Sequence, residues 1–555
     1  MKKWFNSGSP WIWLTAGAVT ISVVMVVGLL GLIAVRGFSH FWPTDVVKIE
    51  IQDSQNNINE VLLGEIARSE TVTAALAREA GHVVPEHMKV VTRYLVKQGN
   101  REHVSSDFVW RFNMGMGEFQ YPKGVYVIER RAWGDFYGFP IALKLNGNEI
   151  LQSAPNFSQL VQEQVAESVA AHQRIKRIER GDIGRINTRM EALRLQQRQL
   201  ELDQVTGHAL QQALAEIDME KAQLDKDYLA LRQQLDLLYA EQQQTVLRMQ
   251  MVNGQEAEVN LADIVAITLP NDMSALQKWS EYFKQVWVFL SAEPREANTE
   301  GGIFPAIFGT ITMVFIMSIM VTPFGVLAAI YLREYAKQGF VTRMVRISVY
   351  NLAGVPSIVY GVFGLGFFIY FLGGNIDRIF YEAALPSPTF GTPGLFWASL
   401  TLALLTLPVV IVSTEEGLAR IPSTIRQGSL ALGATKSETL WRVVVPLATP
   451  GMMTGLILAI ARAAGEVAPL MLVGVVKLAP TLPIDGEFPF VHLERKIMHL
   501  GFHIFDVGFQ SPNVEAARPL VYATALTLVV LIIVLNLTAV AIRNRLREKY
   551  RSDSD

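Results

Sequence analysis

The amino-acid sequence predicts an α-helical polytopic membrane protein with six transmembrane helices and a large α+β insert outside the bilayer. Three observations predict this fold class. Half of the 555 residues are hydrophobic and only 18% are charged, whereas soluble domains carry about 25% charged residues. The charges are concentrated in residues 44–300, while residues 4–35 and 301–542 contain long uncharged runs. The chain has no cysteine, which excludes a disulfide-stabilised secreted scaffold.

Six runs are long and apolar enough to cross a bilayer, which takes about 20 residues. They cover residues 11–35, 303–332, 347–372, 395–413, 447–476 and 520–542. The first run follows Lys2 and Lys3. It is longer than the roughly 7–15 apolar residues of a signal peptide, and no small-residue cleavage site follows it. We therefore expect residues 1–43 to form a cytoplasmic tip and a retained first transmembrane helix.

Lysine and arginine in the short loops predict the orientation, because both are enriched on the cytoplasmic side of a membrane. One set of connecting segments holds most of them: Lys2, Lys3, Arg333, Lys337, Arg343, Arg346, Arg420, Arg426, Lys436, Arg442, Arg543, Arg545, Arg547, Lys549 and Arg551. The opposite short loops hold only Arg378, Lys477, Arg495, Lys496 and Arg518. Both termini, including a tail at 546–555, are therefore expected in the cytoplasm. Residues 44–300 would then be periplasmic in a bacterial inner membrane.

The insert at 44–300 combines two sequence patterns. Short β-rich runs broken by Gly, Pro and Asn predict a mixed β-containing base at 45–155 and 252–270. Between them, at about 160–250, a heptad pattern predicts an antiparallel coiled-coil hairpin that turns near Gly207. The seam consists of Met190, Leu193, Gln197, Leu200 and Gln204 in one arm and Leu210, Leu214, Ile217, Lys221, Leu224, Tyr228, Leu231, Leu235 and Leu238 in the other. Such a hairpin serves either as a docking arm for a periplasmic partner or as a spacer, and the heptads do not decide between these roles.

The loop at 415–446 is predicted to be cytoplasmic and to carry a helical knob. Its pattern predicts a short helix, a turn at Gly433, and a second amphipathic helix that carries Leu440 and Trp441 and stops at Pro446. Two short helices joined at a glycine suit insertion into the groove of a partner protein. A loop that lies on the membrane surface is the alternative.

Arg462 and Glu466 are charged residues within the fifth apolar run. Intramembrane charges usually face a bundle interior or an aqueous path, because exposing them to lipid is costly. A spacing of four residues puts both on one helix face, where they can pair. We expect Arg462 about halfway along the span and suited to a tetrahedral oxyanion, because its planar fork donates paired hydrogen bonds. A snorkelling Arg462 at the end of the span is the alternative.

Gly354, Pro356 and Ser357 interrupt the third apolar run. Such a break exposes backbone N–H groups to an anion, or it is a packing kink whose freed groups are satisfied by neighbouring helices. Both interpretations remain open from the sequence.

Three stretches carry a resemblance to a known family. Gly433 with Pro446 thirteen residues later is similar to the "EAA" coupling loop of ABC-importer permeases. The runs Asn-Leu-Ala-Gly-Val-Pro-Ser-Ile-Val-Tyr-Gly (351–361) and Ala-Arg-Ala-Ala-Gly-Glu-Val-Ala-Pro-Leu (461–470) resemble those of phosphate importer permeases, and the second favours the PstA type. The resemblance covers the first anchor and residues 301–545, the predicted permease domain, and it implies a type I importer fold. It departs at Gln427, Gly428 and Ser429, where the family has Glu-Ala-Ala.

The resemblance implies a permease that forms the phosphate path with a homologous PstC-like permease, a PstB-like ATPase dimer and a PstS-like periplasmic binding protein. Arg462, Glu466, Gly354, Pro356 and Ser357 would line this path. The coupling residues would be Gln427, Gly428, Ser429, Gly433, Leu440, Trp441 and Pro446. The rival interpretations are the sister permease, a permease for another oxyanion, and a membrane-anchored coiled-coil scaffold.

No signature of an enzyme, a nucleotide site or a metal site occurs in the sequence. The phosphate-binding pattern G-x-x-x-x-G-K-[ST] and the zinc pattern H-E-x-x-H are both absent. We therefore expect no catalytic residue, metal or cofactor in this chain, with ATP and magnesium bound by the partner ATPase.

Overall fold

The computed structural model describes residues 9–52, 59–81, 83–85, 87–104, 106–145, 147–511 and 514–551. The chain divides into two compact units. The insert unit comprises Phe41–Val288 with Pro294–Glu296, and the transmembrane unit comprises Met1–His40, Phe289–Glu293 and Ala297–Asp555. The first helix of the transmembrane unit, α1, covers Ser9–Ser39 and is apolar on all sides.

A four-stranded antiparallel sheet begins the insert unit. Its strands, in the order β1-β2-β3-β4, are β1 (Val46–Gln52), β2 (Asn59–Thr73), β3 (Val90–Lys97) and β4 (Phe108–Phe112). The short helix α2 (Ala74–Glu79) connects β2 to the loop before β3. Val47, Ile49 and Val96 are buried together on one face of this sheet, as the alternation of side chains along a strand requires.

A second antiparallel sheet combines strands from before and after the long helices of the insert. The strands are β5 (Tyr126–Arg130), β6 (Phe136–Leu145), β7 (Asn148–Leu151), β8 (Thr245–Gln250), β9 (Glu256–Asn260) and β10 (Ile264–Thr268). The order is β10-β5-β6-β8-β9, with β7 also paired to β6. Phe136, Leu143, Leu247 and Ile264 are fully buried in its core. Because β6 pairs with β8, the two ends of the long helical segment between β7 and β8 start and finish at the same sheet.

Three long helices lie between β7 and β8. They are α3 (Phe157–Arg177), which continues through a π-helical turn (Ile178–Asp182) into α4 (Ile183–Leu202), and α5 (His208–Gln242). Gly207 connects α4 and α5 with a φ of +77°, a conformation that favours glycine. Leu193 and Ile217 of the predicted seam are buried, and Lys221 donates to Gln197 at 2.8 Å. α4 and α5 pair as a helical hairpin, while the coiled coil stays a prediction.

The helix α6 (Ala275–Ser291) ends the insert sequence. The remaining elements of the transmembrane unit are α7 (Phe304–Ile330), α8 (Phe340–Leu352), α9 (Ser357–Phe363), α10 (Gly374–Phe380), α11 (Leu395–Ala419), α12 (Ser423–Ala431), α13 (Lys436–Thr439), α14 (Val445–Gly465), α15 (Leu470–Val473), α16 (Leu500–Phe505) and α17 (Val514–Arg551). Among the described residues, six helical stretches are long and apolar enough to span a membrane: Trp11–Ser39, Phe304–Tyr335, Ser357–Phe380, Leu395–Ala419, Lys436–Gly465 and Ala517–Glu548.

The expected third span at 347–372 is wrong in its position. The helix is broken between α8 and α9, and the span is Ser357–Phe380, made of α9 and α10 joined by a π-helical stretch (Gly364–Gly373). Pro356 explains the break, because proline has no N–H and disfavours a helical conformation at the residue before it. α8 is amphipathic instead, and its Arg346 donates to Glu415 near the end of α11 at 3.1 Å.

Small residues allow the transmembrane helices to pack closely around α11. A Cβ added at Gly451 of α14 would lie 2.7 Å from the Cα of Gly417. A Cβ added at Gly325 of α7 would lie 2.5 Å from the side chain of Val410. Such close approach is how helices associate in lipid, where the hydrophobic effect between helices is weak. α11 is therefore the central helix of the unit, with α7 and α14 against it.

Candidate functional site

The expectation that the fifth span continues through 447–476 is wrong. α14 ends at Gly465, Glu466 has an extended backbone, and helix resumes only at α15. Pro469 accounts for the interruption, because it lacks the N–H that a continuous helix would need. Arg462 therefore lies in the last turn of α14 and not in the middle of a longer helix.

Although α14 ends early, Arg462 does not lie at the edge of the helix bundle. A Cβ added at Gly455 would lie 2.5 Å from the Cβ of Ser413 on α11. Arg462 is seven residues further along α14, which corresponds to about 10 Å at the helical rise. The same distance back along the antiparallel α11 reaches the level of Thr406, near the middle of that helix. Arg462 thus lies at about the level of Thr406, near the middle of α11.

Arg462 and Glu466 face each other loosely. Arg462 Nε lies 3.5 Å from Glu466 Oε1, and the side chains are 34% and 20% exposed. Because the distance exceeds that of a tight charge-assisted hydrogen bond, the carboxylate neutralises part of the charge without engaging the whole guanidinium. Donors of the fork remain available to an anion that reaches this site.

The break between α8 and α9 adjoins the break after α14. A Cβ added at Gly361 of α9 would lie 2.7 Å from the Cα of Pro469. The hydroxyl of Tyr360 donates across the first break to the carbonyl of Leu352 at 2.6 Å. The structure therefore brings together the predicted path segments around Ser357 and Arg462, which are more than 100 residues apart in the sequence.

The predicted residues of the first break remain accessible. Gly354 and Pro356 are exposed and Ser357 is half-buried. The N–H of Gly354 is bonded to the carbonyl of Asn351 at 3.0 Å. Ser357 begins α9. The N–H of Val359 is bonded to the carbonyl of Pro356 at 3.0 Å, and the other first N–H groups of a helix have no partner within that helix. This geometry is compatible with anion binding by backbone N–H groups and also with a satisfied packing kink.

Sequence reasoning missed His499, which lies beside the same turn. It precedes α16, is fully buried, and accepts the N–H of Gly501 at 3.1 Å. A Cβ added at Gly501 would lie 2.6 Å from the side chain of Val467. Burial lowers the pKa of His499 to about 4. At neutral pH its imidazole is therefore uncharged where it packs beside the turn after Glu466. Its isolated position in the sequence gave no signal.

The predicted knob is formed by α12 and α13. Gly433 connects them with a φ of +89°, a region that disfavours residues with a Cβ. The Thr435 side chain accepts the N–H of Glu438 at 3.2 Å, and the Glu438 carboxylate accepts the N–H of Thr435 at 2.9 Å. This capping box fixes the start of α13.

Two expectations for the knob are wrong. Pro446 does not stop the second helix, because α13 continues through a π-helical turn (Leu440–Val444) into α14, where Pro446 lies in the first turn. The π-helical turn directly before Pro446 accommodates it, because such a turn already interrupts the regular hydrogen-bond ladder of the helix. Leu440 is only 3% exposed and packs in an apolar cluster with Leu418 and Val444, so it is not a contact surface.

The large apolar side chains exposed on the knob and the turn after it are Ile425, Leu430, Leu432 and Trp441, of which Leu432 is 91% and Trp441 51% exposed. Of these, only Trp441 was predicted. Gln427 and Gly428 are exposed on α12, whereas Ser429 turns toward α13, with its Oγ 2.8 Å from the Thr439 hydroxyl.

Polar contacts fix the knob to the end of α7. Arg426 donates to the Glu334 carboxylate at 2.9 Å and to the carbonyl of Leu418 at 2.9 Å. Lys436 Nζ donates to the carbonyl of Glu334 at 2.6 Å and lies 4.8 Å from the ring centre of Tyr335. The knob is therefore attached to the end of α7 and to α11, and it continues into α14.

No metal centre accompanies these residues. Across the residues that the structure describes, no group of three or more His, Cys, Asp or Glu side chains is arranged to hold a metal ion.

A multi-pass helical unit with a helical knob between two spans is the architecture expected of a membrane permease subunit. The family model described as "Binding-protein-dependent transport system inner membrane component" matches residues 321–548. The insert lies outside this match. The chain is thus a multi-pass inner-membrane permease of the ABC-importer class, and it is not an enzyme.

Known relatives identify the family more closely. The phosphate transport system permease protein PstA of Mycobacterium leprae (strain TN) is 37% identical over 245 residues, which are 44% of this chain and 71% of the relative. PstA 1 of Mycobacterium tuberculosis (strain ATCC 25618 / H37Rv) is 34% identical over 244 residues, 44% of this chain and 70% of the relative. The chain belongs to the PstA family of phosphate transport system permease proteins.

Proposed function

We propose that this chain is a permease subunit of an ATP-driven, high-affinity importer of inorganic phosphate. It forms the translocation path with a homologous PstC-like permease. A PstS-like periplasmic protein delivers phosphate, and a PstB-like ATPase dimer in the cytoplasm drives transport. Both termini are cytoplasmic and residues 44–300 are periplasmic. The PstA relatives support the substrate and the partners, and the distribution of lysine and arginine supports the orientation.

The observation that best supports a phosphate path is Arg462, at about the level of the middle of α11, beside two interrupted helices. A guanidinium stays charged at any physiological pH and presents paired donors that match two phosphate oxygens. Glu466, at 3.5 Å, orients this group and lowers its net charge. Partial neutralisation matters, because an ion that is bound too tightly cannot leave a transport path.

The N-terminal end of α9 adds a second contribution to the path. Ser357 follows Gly354 and Pro356, and the N–H groups at a helix N-terminus favour anions. Since Gly361 packs against Pro469, a phosphate held by Arg462 lies near this end of α9. During passage the phosphate then exchanges hydrogen bonds from the guanidinium of Arg462 for hydrogen bonds from backbone N–H groups of α9. No ionisable group of the protein has to change its charge.

The knob transmits ATPase motion to the path. Leu430, Leu432 and Trp441 supply an exposed apolar surface for a cleft in the ATPase, and Gly433 sets the angle between the two short helices. Because α13 continues directly into α14, which carries Arg462 near its far end, displacement of the knob moves the arginine. This supports a mechanical link between nucleotide closure and alternating access.

Uptake of radiolabelled phosphate, in cells that lack their own phosphate permease, tests this function. We expect the native chain with its partner subunits to restore ATP-dependent uptake that excess sulfate does not inhibit. Arg462→Gln should abolish uptake while the subunits still copurify, and Arg462→Lys should restore only part of it because lysine has no planar fork.

Arg518→Gln is the matched control. Arg518 is a half-exposed arginine that pairs with Glu515 at 3.4 Å, outside the proposed path, so its loss should leave uptake unchanged. Normal uptake by Arg462→Gln would refute the path, and sulfate uptake in place of phosphate would refute the substrate.

A further inference from the structure

The helix α6 has its apolar side outward. Leu276, Trp279, Phe283 and Trp287 are 82%, 50%, 64% and 70% exposed. They recur at intervals of three and four residues, which places them on one stripe of the helix. We refer to these four side chains as the aromatic stripe.

Lys278 and Glu281 lie on the opposite, less exposed side of α6, whereas Lys284, whose side chain is 59% exposed, lies at the border of the stripe. The Lys278 side chain is 14% exposed and pairs with Asp45, and the Glu281 side chain is 13% exposed. A helix at a water-facing surface normally shows the reverse pattern, with apolar residues inward. A contiguous exposed apolar surface of this kind marks contact with a membrane or another protein.

Both ends of α6 lie next to residues that adjoin transmembrane helices. Near its start, the ring of Trp279 lies 5.2 Å from that of Trp42, and Trp42 is three residues beyond Ser39, the end of α1. Three residues reach at most about 10 Å. Trp279 of the aromatic stripe therefore packs against a residue that lies within about 10 Å of the end of α1.

At the other end, Phe289 is in contact with two such residues. Its ring centre lies 6.3 Å from that of His40, the residue directly after α1. Its carbonyl accepts the N–H of Ile303 at 2.8 Å, and Ile303 directly precedes α7. The last turn of α6 is thus held where two spans leave the bilayer.

We propose that α6 is an interfacial helix whose aromatic stripe is embedded in the outer headgroup region of the lipid bilayer. Tryptophan, phenylalanine and leucine on one face of an amphipathic helix favour this region, because their apolar groups enter the acyl boundary while the indole N–H of tryptophan stays near the polar headgroups. The contacts of Trp279 and Phe289 with residues at the ends of two spans place the stripe next to the bilayer. They therefore favour lipid, and not a protein partner, as what covers the stripe. Through α6, the bilayer surface fixes the orientation of the chain segment that leads from the insert into α7.

The cysteine-free sequence allows a direct test. A single nitroxide is attached at Phe283→Cys or Leu276→Cys in the full-length chain, purified with its copurifying subunits and reconstituted in phosphatidylcholine nanodiscs. Power-saturation spectroscopy then compares collisions with oxygen, which concentrates in lipid, and with a water-soluble nickel chelate. We expect the oxygen-to-nickel ratio at both positions to be severalfold higher than at an aqueous reference.

Two control positions calibrate the scale. Leu237→Cys, on an exposed side chain of α5, supplies the aqueous reference. Val24→Cys, on an exposed side chain in the middle of α1, supplies the lipid reference. A ratio at Phe283 equal to that of Leu237 would refute the proposal, since the stripe would then lie in water. Protection from both reagents would also refute it, because a protein would then cover the stripe.

Discussion

Leu440 and Trp441 are neighbours in the sequence, but the first is buried and the second is exposed. Replacing each by alanine therefore distinguishes the contribution of this segment to folding stability from its contribution to ATPase binding. Leu440 is 3% exposed in a cluster that joins the ends of α7, α11 and α14. Leu→Ala substitutions in packed sites cost about 2–5 kcal/mol through lost contacts and the remaining cavity. We expect Leu440→Ala to lower the free energy of unfolding by about 2–3 kcal/mol, at the lower end because the cluster lies at the end of the bundle.

Trp441→Ala should weaken binding of the ATPase and leave the free energy of unfolding nearly unchanged. At 51% exposure it contributes little to folding, and surface substitutions usually change stability by less than about 0.5 kcal/mol. If Trp441 enters a cleft of the ATPase, its loss removes an interface anchor worth about 2 kcal/mol or more, which corresponds to roughly 30-fold weaker binding.

Two assays on the same preparations separate these effects. Thermal unfolding of the chain in nanodiscs reports stability, and titration with the purified ATPase subunit reports binding. The reasoning is refuted if Trp441→Ala binds the ATPase with native affinity, or if Leu440→Ala unfolds at the native temperature.

Three further predictions concern other parts of the chain. Burial lowers the pKa of His499 and of His503 to about 4, below the value of about 6.5 in an unfolded chain. The unfolded state therefore binds more protons between these values, and stability should fall as the pH drops from about 6.5 toward 4. Melting curves at pH 7.5 and 5 check this, and His503→Leu should flatten the dependence. Gly433→Ala should cost about 1–2 kcal/mol because of its positive φ, whereas Gly428→Ala, a helical position with open space around it, should be neutral or stabilising in the same melts. Replacing residues 44–300 by a short linker should leave phosphate uptake intact, and full loss of uptake from a normally assembled complex would favour a scaffold role instead.

Hydropathy predicted the number of spans well, because about 20 consecutive apolar residues have few alternatives to crossing a bilayer. The same criterion misplaced the third and fifth spans. The apolar run continues on both sides of Pro356 and of Gly465, so hydropathy cannot distinguish an interrupted helix from a continuous one. Pro356 itself carried the signal for the first break. For the second break, Pro469 was available but was outweighed by the apolar residues that follow Glu466.

The side-chain environments of the candidate site were harder to predict. Leu440 and Trp441 are about 100° apart around one helix, and only the tertiary structure shows that the first faces the cluster with Leu418. Likewise, the close approach of Gly361 to Pro469 joins segments about 100 residues apart in the sequence, which no local pattern encodes. Periodicity indicates which residues share a face, but not what that face contacts.

Accessibility of a cysteine at Ser357 tests the central claim, that phosphate passes where the two interrupted helices meet. Ser357→Cys introduces the single thiol of an otherwise cysteine-free chain, and its modification by a small, membrane-impermeant, thiol-specific reagent is measured in the assembled importer. We predict that the thiol is modified when the path is open, and that saturating phosphate slows the reaction while sulfate does not. Modification at the same rate with and without phosphate would contradict a phosphate path at this site.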